Sequence, residues 1–123
     1  MFGLFKPKKI EILNPSEFIK TMEKISHLLF ENGFEGQANA FLKPIQYLKE
    51  NDVEKFEQNF NTVDIWGGPG AAWEVGGFTS WKTEREFLVQ FRKLIQLMKE
   101  AGIKNGKAKS IDKLFLRTME EKD

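Results

Sequence analysis

Thr83-Glu84-Arg85-Glu86-Phe87-Leu88-Val89-Gln90-Phe91-Arg92-Lys93-Leu94-Ile95-Gln96-Leu97-Met98 is the stretch on which the fold turns. Phe87, Leu88, Phe91, Leu94, Ile95 and Met98 recur at intervals of one, three and four, which gathers them on one face of an α-helix. Thr83 and Glu86 stand as a reciprocal capping box that opens the helix, and Gly102 ends it. Beyond it, Asn105-Gly106 marks a turn, and Ser110 caps a last helix that carries Ile111, Leu114, Phe115 and Met119.

Toward the N-terminus the same period returns. In Asn14-Pro15-Ser16-Glu17, Asn14 and Ser16 are both suitable caps, and Pro15 suits the first helical position after Asn14. Phe18, Met22, Ile25 and Leu29 follow on one face, and Gly33 stops the helix. Phe34, Ala38, Phe41, Ile45 and Leu48 repeat the pattern around Pro44. That proline predicts either one bent helix or two short ones, with the break between Ala40 and Lys43. Asp52 caps a third segment whose stripe is Val53, Phe56, Phe60 and Val63. Only Ile10 to Leu13 reads as a short strand, and the mixed run Met1 to Lys9 leads into it.

Composition bounds what such a chain does. Its 123 residues, 41% hydrophobic and 30% charged with 12 Phe, describe one globular domain rather than a disordered chain. The absence of cysteine excludes a disulfide framework, a thiol nucleophile and a thiolate metal site. With 19 basic against 18 acidic residues, net charge +1, no global field points to nucleic acid or a membrane. No apolar run approaches the ~20 residues that span a bilayer, and the N-terminal order is wrong for a secretory signal. A cytoplasmic protein is expected.

Chemistry, if present, belongs to Asp64-Ile65-Trp66-Gly67-Gly68-Pro69-Gly70-Ala71-Ala72-Trp73-Glu74-Val75-Gly76-Gly77-Phe78-Thr79-Ser80-Trp81. This stretch holds all 3 Trp and half of the 10 Gly. Gly68-Pro69-Gly70 begins like a dinucleotide fingerprint, but Trp73 takes the place of the third glycine and Pro69 removes a donor amide. No Gly-Lys-Ser/Thr follows, which excludes a P-loop. Asp64 and Glu74 flank the glycines, with Trp66 and Trp73 as apolar walls for an acid–base pair; an acid beside a turn also serves simply to cap an amide. Trp81, just ahead of the long helix, is the expected anchor of the loop on the core, with Trp66 or Trp73 partly exposed for recognition.

Other candidates are few. His27 lies opposite the apolar stripe of its helix and reads as exposed; with no Cys or second His, a zinc site lacks ligands. Nothing around Ser16, Ser26, Ser80 or Ser110 resembles a nucleophile elbow. Lys99, Lys104, Lys107, Lys109, Lys113 and Arg117, interrupted by Glu100 and Asp112, together with Lys6, Lys8 and Lys9 suit an acidic partner or RNA. Lacking interleaved aromatics, they read as a solvated face.

From Ile25 to Glu74 the order of elements runs through a helix ending at Gly33, a second containing Gln37-Ala38-Asn39-Ala40, a short Asn51-Asp52-capped helix, and then Trp66-Gly67-Gly68-Pro69-Gly70. This resembles a family of small uncharacterised bacterial proteins with a helix–helix–aromatic-Gly-Gly-x-Gly pattern. Where that pattern has Ser and then Asp, this chain has Ala71 and Glu74. The resemblance implies no reaction, but a context beside bacterial toxins and mobile elements, and so an immunity or inhibitor role.

The expectation is therefore a mainly α single domain over residues 1–123, of about five helices around a Gly/Trp-rich loop, with a short N-terminal strand or hairpin. Its expected function is non-enzymatic protein binding through Asp64, Trp66, Gly67, Gly68, Gly70, Trp73 and Glu74, with no cofactor, metal, nucleic acid or membrane. The alternative is a small enzyme or ligand binder that uses Asp64 and Glu74 beside Trp66 and Trp73.

Overall fold

Asn14 settles where the first helix begins. Its Oδ1 accepts from the Glu17 amide at 3.3 Å, and Pro15 takes the first helical position. A computed structural model of the chain describes residues 9–123, and α1 runs Pro15–Glu31. Phe18, Met22, Ile25 and Leu29 are all buried, as their spacing predicts. Gly33 ends the helix at φ +87°, a conformation that costs an L side chain about 1–2 kcal/mol.

The chain breaks ahead of Pro44 into two short helices, α2 (Glu35–Asn39) and α3 (Leu42–Lys49), with the proline in the second. Its missing amide falls in the first turn of α3, where amides have no intrahelical partner in any case. Asp52 caps α4 (Val53–Phe60), its Oδ1 accepting from the Lys55 amide at 3.1 Å. Phe56 and Phe60 are fully buried, but Val63 is 78% exposed. It leaves the expected stripe because the chain breaks at Asn61 and restarts as a helical turn, α5 (Val63–Trp66).

The long helix α6 (Trp81–Glu100) begins ahead of the expected capping box. Ser80 is the cap: its Oγ accepts from the Thr83 amide at 3.1 Å, so the amide that a Thr83–Glu86 box needs is already taken. The Glu86 carboxylate instead accepts from Gln90 Nε2. Phe87, Leu88, Phe91, Leu94, Ile95 and Met98 form the buried face that their periodicity predicts. After Gly102, α7 (Ala108–Lys122) likewise starts before its expected cap, Ser110. Asn105 Oδ1 accepts from the amides of Lys107 (2.9 Å) and Ala108 (3.2 Å) and sets the start. Ile111 and Phe115 are buried, Met119 partly so, while Leu114 faces solvent.

One chain of aromatic rings ties these elements together. Phe18 of α1 meets Phe60 of α4 (5.5 Å between centroids), which meets Trp66 of α5 (5.6 Å). Trp66 meets Phe91 of α6 (5.5 Å), which meets Phe115 of α7 (5.7 Å). All four contacts are edge-to-face, each worth about 0.5–1.5 kcal/mol beyond the area it buries. The protein is thus a small, mainly helical domain, with five helices of eight residues or more and two shorter ones among the described residues.

The expected N-terminal strand is not formed. Glu11 donates one backbone hydrogen bond to the Ala101 carbonyl (3.0 Å), and no strand among the described residues extends it into a ladder. Ile10 and Ile12 pack part-buried on the core. The run Met1 to Lys8, read as leading into that strand, lies outside the described residues. No helix among the described residues is long and apolar enough to cross a membrane.

Candidate functional site

The Gly/Trp stretch is built around two indoles, each of which donates to backbone carbonyls. Trp66 is only 1% exposed, and its Nε1 donates to the Phe60 carbonyl at 3.0 Å. That carbonyl lies at the end of α4, where helix carbonyls run out of amide partners. Gly67 closes α5 with its amide on the Val63 carbonyl at 2.8 Å. A Cβ at Gly67 would lie 2.5 Å from that same oxygen, which is why glycine stands there. The chain turns at Gly70 (φ +89°) and returns along α5, with Ala72 donating to the Asp64 carbonyl at 2.8 Å. Trp73 then seals the loop: its Nε1 donates to the carbonyls of Gly67 (2.6 Å) and Trp66 (3.2 Å). Gln37 Nε2 reaches the Gly70 carbonyl at 3.3 Å and ties the loop to α2.

The anchor is therefore Trp66, not Trp81. Trp81 is the first residue of α6 and stands at the edge of its buried face, in line with Leu88 seven residues on, where it packs on the core without entering it. It is half-exposed, and its Nε1 donates to Asp123 Oδ1 at 3.0 Å while Lys122 lies over its ring. Arg85 holds the same carboxylate, so Trp81 fastens the end of α7 to the start of α6.

Of the residues singled out in the sequence, the fold brings Trp66, Gly67 and Trp73 together. Gly68 is half-exposed and Gly70 exposed. Asp64 and Glu74 are also exposed, and neither carboxylate accepts a hydrogen bond among the described residues. Two loop carbonyls are held by the Trp73 indole; loop amides are not held by these acids. Trp66 faces the core rather than Asp64, so the apolar walls of the acid–base arrangement are not assembled. His27 is exposed on α1, with Nε2 2.9 Å from Glu31. Among the described residues, no three His, Asp or Glu side chains gather where a metal ion would be held.

A second feature was only half legible in the sequence. Between the C-terminal half of α6 and the start of α7 runs an open groove of about 800 Å³. Its floor includes Ile95, Met98 and Ile103, and Lys99, Lys104 and Lys109 stand at its edges. These lysines read as a solvated face because sequence shows their charge but not the cleft between two helices. Asn105 also borders a shallower depression at Val63, Gly67 and Gly68, so the groove and the loop share one face. Asn61 and Asn105 pin that junction: Asn105 Nδ2 donates to Asn61 Oδ1 (2.6 Å), and Asn61 Nδ2 donates to the Lys104 carbonyl (2.9 Å).

Comparison with known proteins finds no matching family model, no similar curated sequence and no similar solved structure.

Proposed function

We propose that this chain is a non-enzymatic protein-binding domain of the immunity or inhibitor kind, whose partner is a toxin or comparable effector protein. One observation carries the protein-binding part. Trp73 closes the loop on its own carbonyls and Trp66 ties it to the Phe60 carbonyl of α4, yet Val63, Asp64, Gly70 and Glu74 remain exposed there beside a half-buried Trp73. A surface held in one conformation before binding loses little entropy on docking. An aromatic at its centre suits an interface, where Trp and Tyr carry much of the binding energy. The resemblance of the Trp66 to Gly70 pattern to small bacterial proteins found beside toxins makes a toxin the first partner class to test.

The test is capture from the native cell with wild-type, Val63→Asp and Glu74→Arg proteins. Both substitutions are at exposed positions. Melting temperatures should stay within roughly 3 °C of wild type, as for a surface change of about 0.5 kcal/mol. The specifically captured protein should be lost with both variants. Folded variants that capture it undiminished would refute the loop as the recognition surface.

A further inference from the structure

We propose that the groove between α6 and α7 docks an acidic, partly apolar segment of the partner protein. The inference rests on the protein-binding reading and supplies that partner's chemistry. Lys99, Lys104 and Lys109 are exposed along the groove, and none takes part in an ion pair among the described residues. Asp112, the acidic residue of the described lining, is held by Arg92 at 2.9 Å across α6 and α7. The cleft's own carboxylate is thus matched, and three ammonium groups are left uncompensated.

Uncompensated like charges around one cleft set up a local positive potential that attracts and orients carboxylates. The floor adds apolar contact through Ile95, Met98 and Ile103. Arg92 and Lys99 lie seven residues apart on α6, about 10 Å at 1.5 Å per residue. An extended peptide covers that length with about three residues at roughly 3.3 Å each. A segment longer than this, running on along the groove, engages the lysines with its acids and the floor with its apolar side chains. It also continues past Asn105 onto the face that carries Val63 and Gly67. Protein is favoured over nucleic acid because no aromatic ring lines the described groove for a base to stack on.

The full chain is titrated with a fluorescent peptide of alternating Glu and Leu, with its Lys-Leu counterpart, and with an oligothymidylate. Anisotropy reports affinity, and backbone amide shifts report location. The acidic peptide should bind and shift the amides of α6 and α7 around the groove, and its binding should weaken as salt rises. A Lys99→Gln, Lys104→Gln, Lys109→Gln variant, checked for an unchanged circular dichroism melt, should bind it about tenfold more weakly. Equal binding by that variant, shifts confined to other surfaces, or tighter binding of the oligothymidylate would each overturn the proposal. A null peptide result together with loss of capture in Val63→Asp discards the groove and keeps the protein-binding reading. Groove binding together with undiminished capture by the loop variants discards the loop and keeps the groove.

Discussion

Gly67 and Gly68 are neighbours with opposite tolerances. A methyl group on Gly67 meets the Val63 carbonyl at 2.5 Å and the Val63 Cβ at 3.0 Å, whereas one on Gly68 meets nothing within 4 Å. Gly67→Ala should therefore destabilise by about 1–3 kcal/mol, the cost of forcing atoms into a packed site. Gly68→Ala, at a position without positive φ, should be neutral or stabilise by up to about 1 kcal/mol by restricting the unfolded chain. Urea titrations of the two variants check this, and equal effects would contradict the closed geometry of α5. Trp66→Ala should cost about 3–5 kcal/mol, the range for an aromatic truncated in a core. Trp66→Phe should cost less, because it keeps a ring in the site and loses mainly the indole bond to the Phe60 carbonyl. A melting series of wild type, Phe and Ala should fall in that order.

At the scale of elements, α1 and α6 are joined on the surface as well as through the core. Glu17 accepts from Lys93, and that hydrogen bond, with the lysine's charge, holds the Glu17 carboxyl below the usual glutamate range. A carboxyl lowered in the folded state adds stability above its unfolded value, and that stability is lost as pH falls through the folded value. Glu17→Gln should accordingly flatten the acid limb of the stability curve. The gap between wild type and variant should be present near neutral pH and should close as the pH falls below the folded titration point of Glu17. Raising the salt should narrow the neutral gap, since the pair lies on the surface. Denaturant titrations across pH provide the measurement; a gap that widens on acidification would contradict the assignment.

Across the whole molecule, the rings of Phe18, Phe60, Trp66, Phe91 and Phe115 link α1, α4, α5, α6 and α7 in one continuous contact path. No helix withdraws from that path without exposing an aromatic ring of its neighbour. Unfolding should therefore be a single cooperative transition, with helix content by circular dichroism and indole emission changing together. Separate midpoints for the two signals would show that the loop around Trp66 melts independently of the helices.

Much of this architecture is decided within a few residues. The apolar period of α1 and α6, Asp52 as a cap, Gly33 and Gly102 as stops, and a disturbance of the helix ahead of Pro44 all follow from local steric and hydrogen-bonding rules, and for that reason they were legible in the sequence; Asn14 rather than Ser16 as the cap, and two helices rather than one bent one, were not. Helix starts went astray where two caps competed. Thr83 and Ser110 have suitable side chains, but Ser80 and Asn105 reach the amides first. Val63 fits the stripe of α4 by spacing and leaves it because the backbone restarts at α5. The candidate site was legible as a composition, since its glycines and tryptophans stand out in any reading of the chain. Which tryptophan is buried was not: Trp66 enters the core because Phe91 of α6 closes over it beside its near neighbour Phe60, while Trp81 is drawn to the end of the chain by Asp123. The groove likewise exists only where α7 folds back along α6, and no local pattern encodes a space between two helices. Sequence by itself determined the long helices α1 and α6 and the faces they bury, because those choices are local. Only the tertiary structure decided the loop's anchor and the cleft beside it, because both are made by residues that meet across the chain.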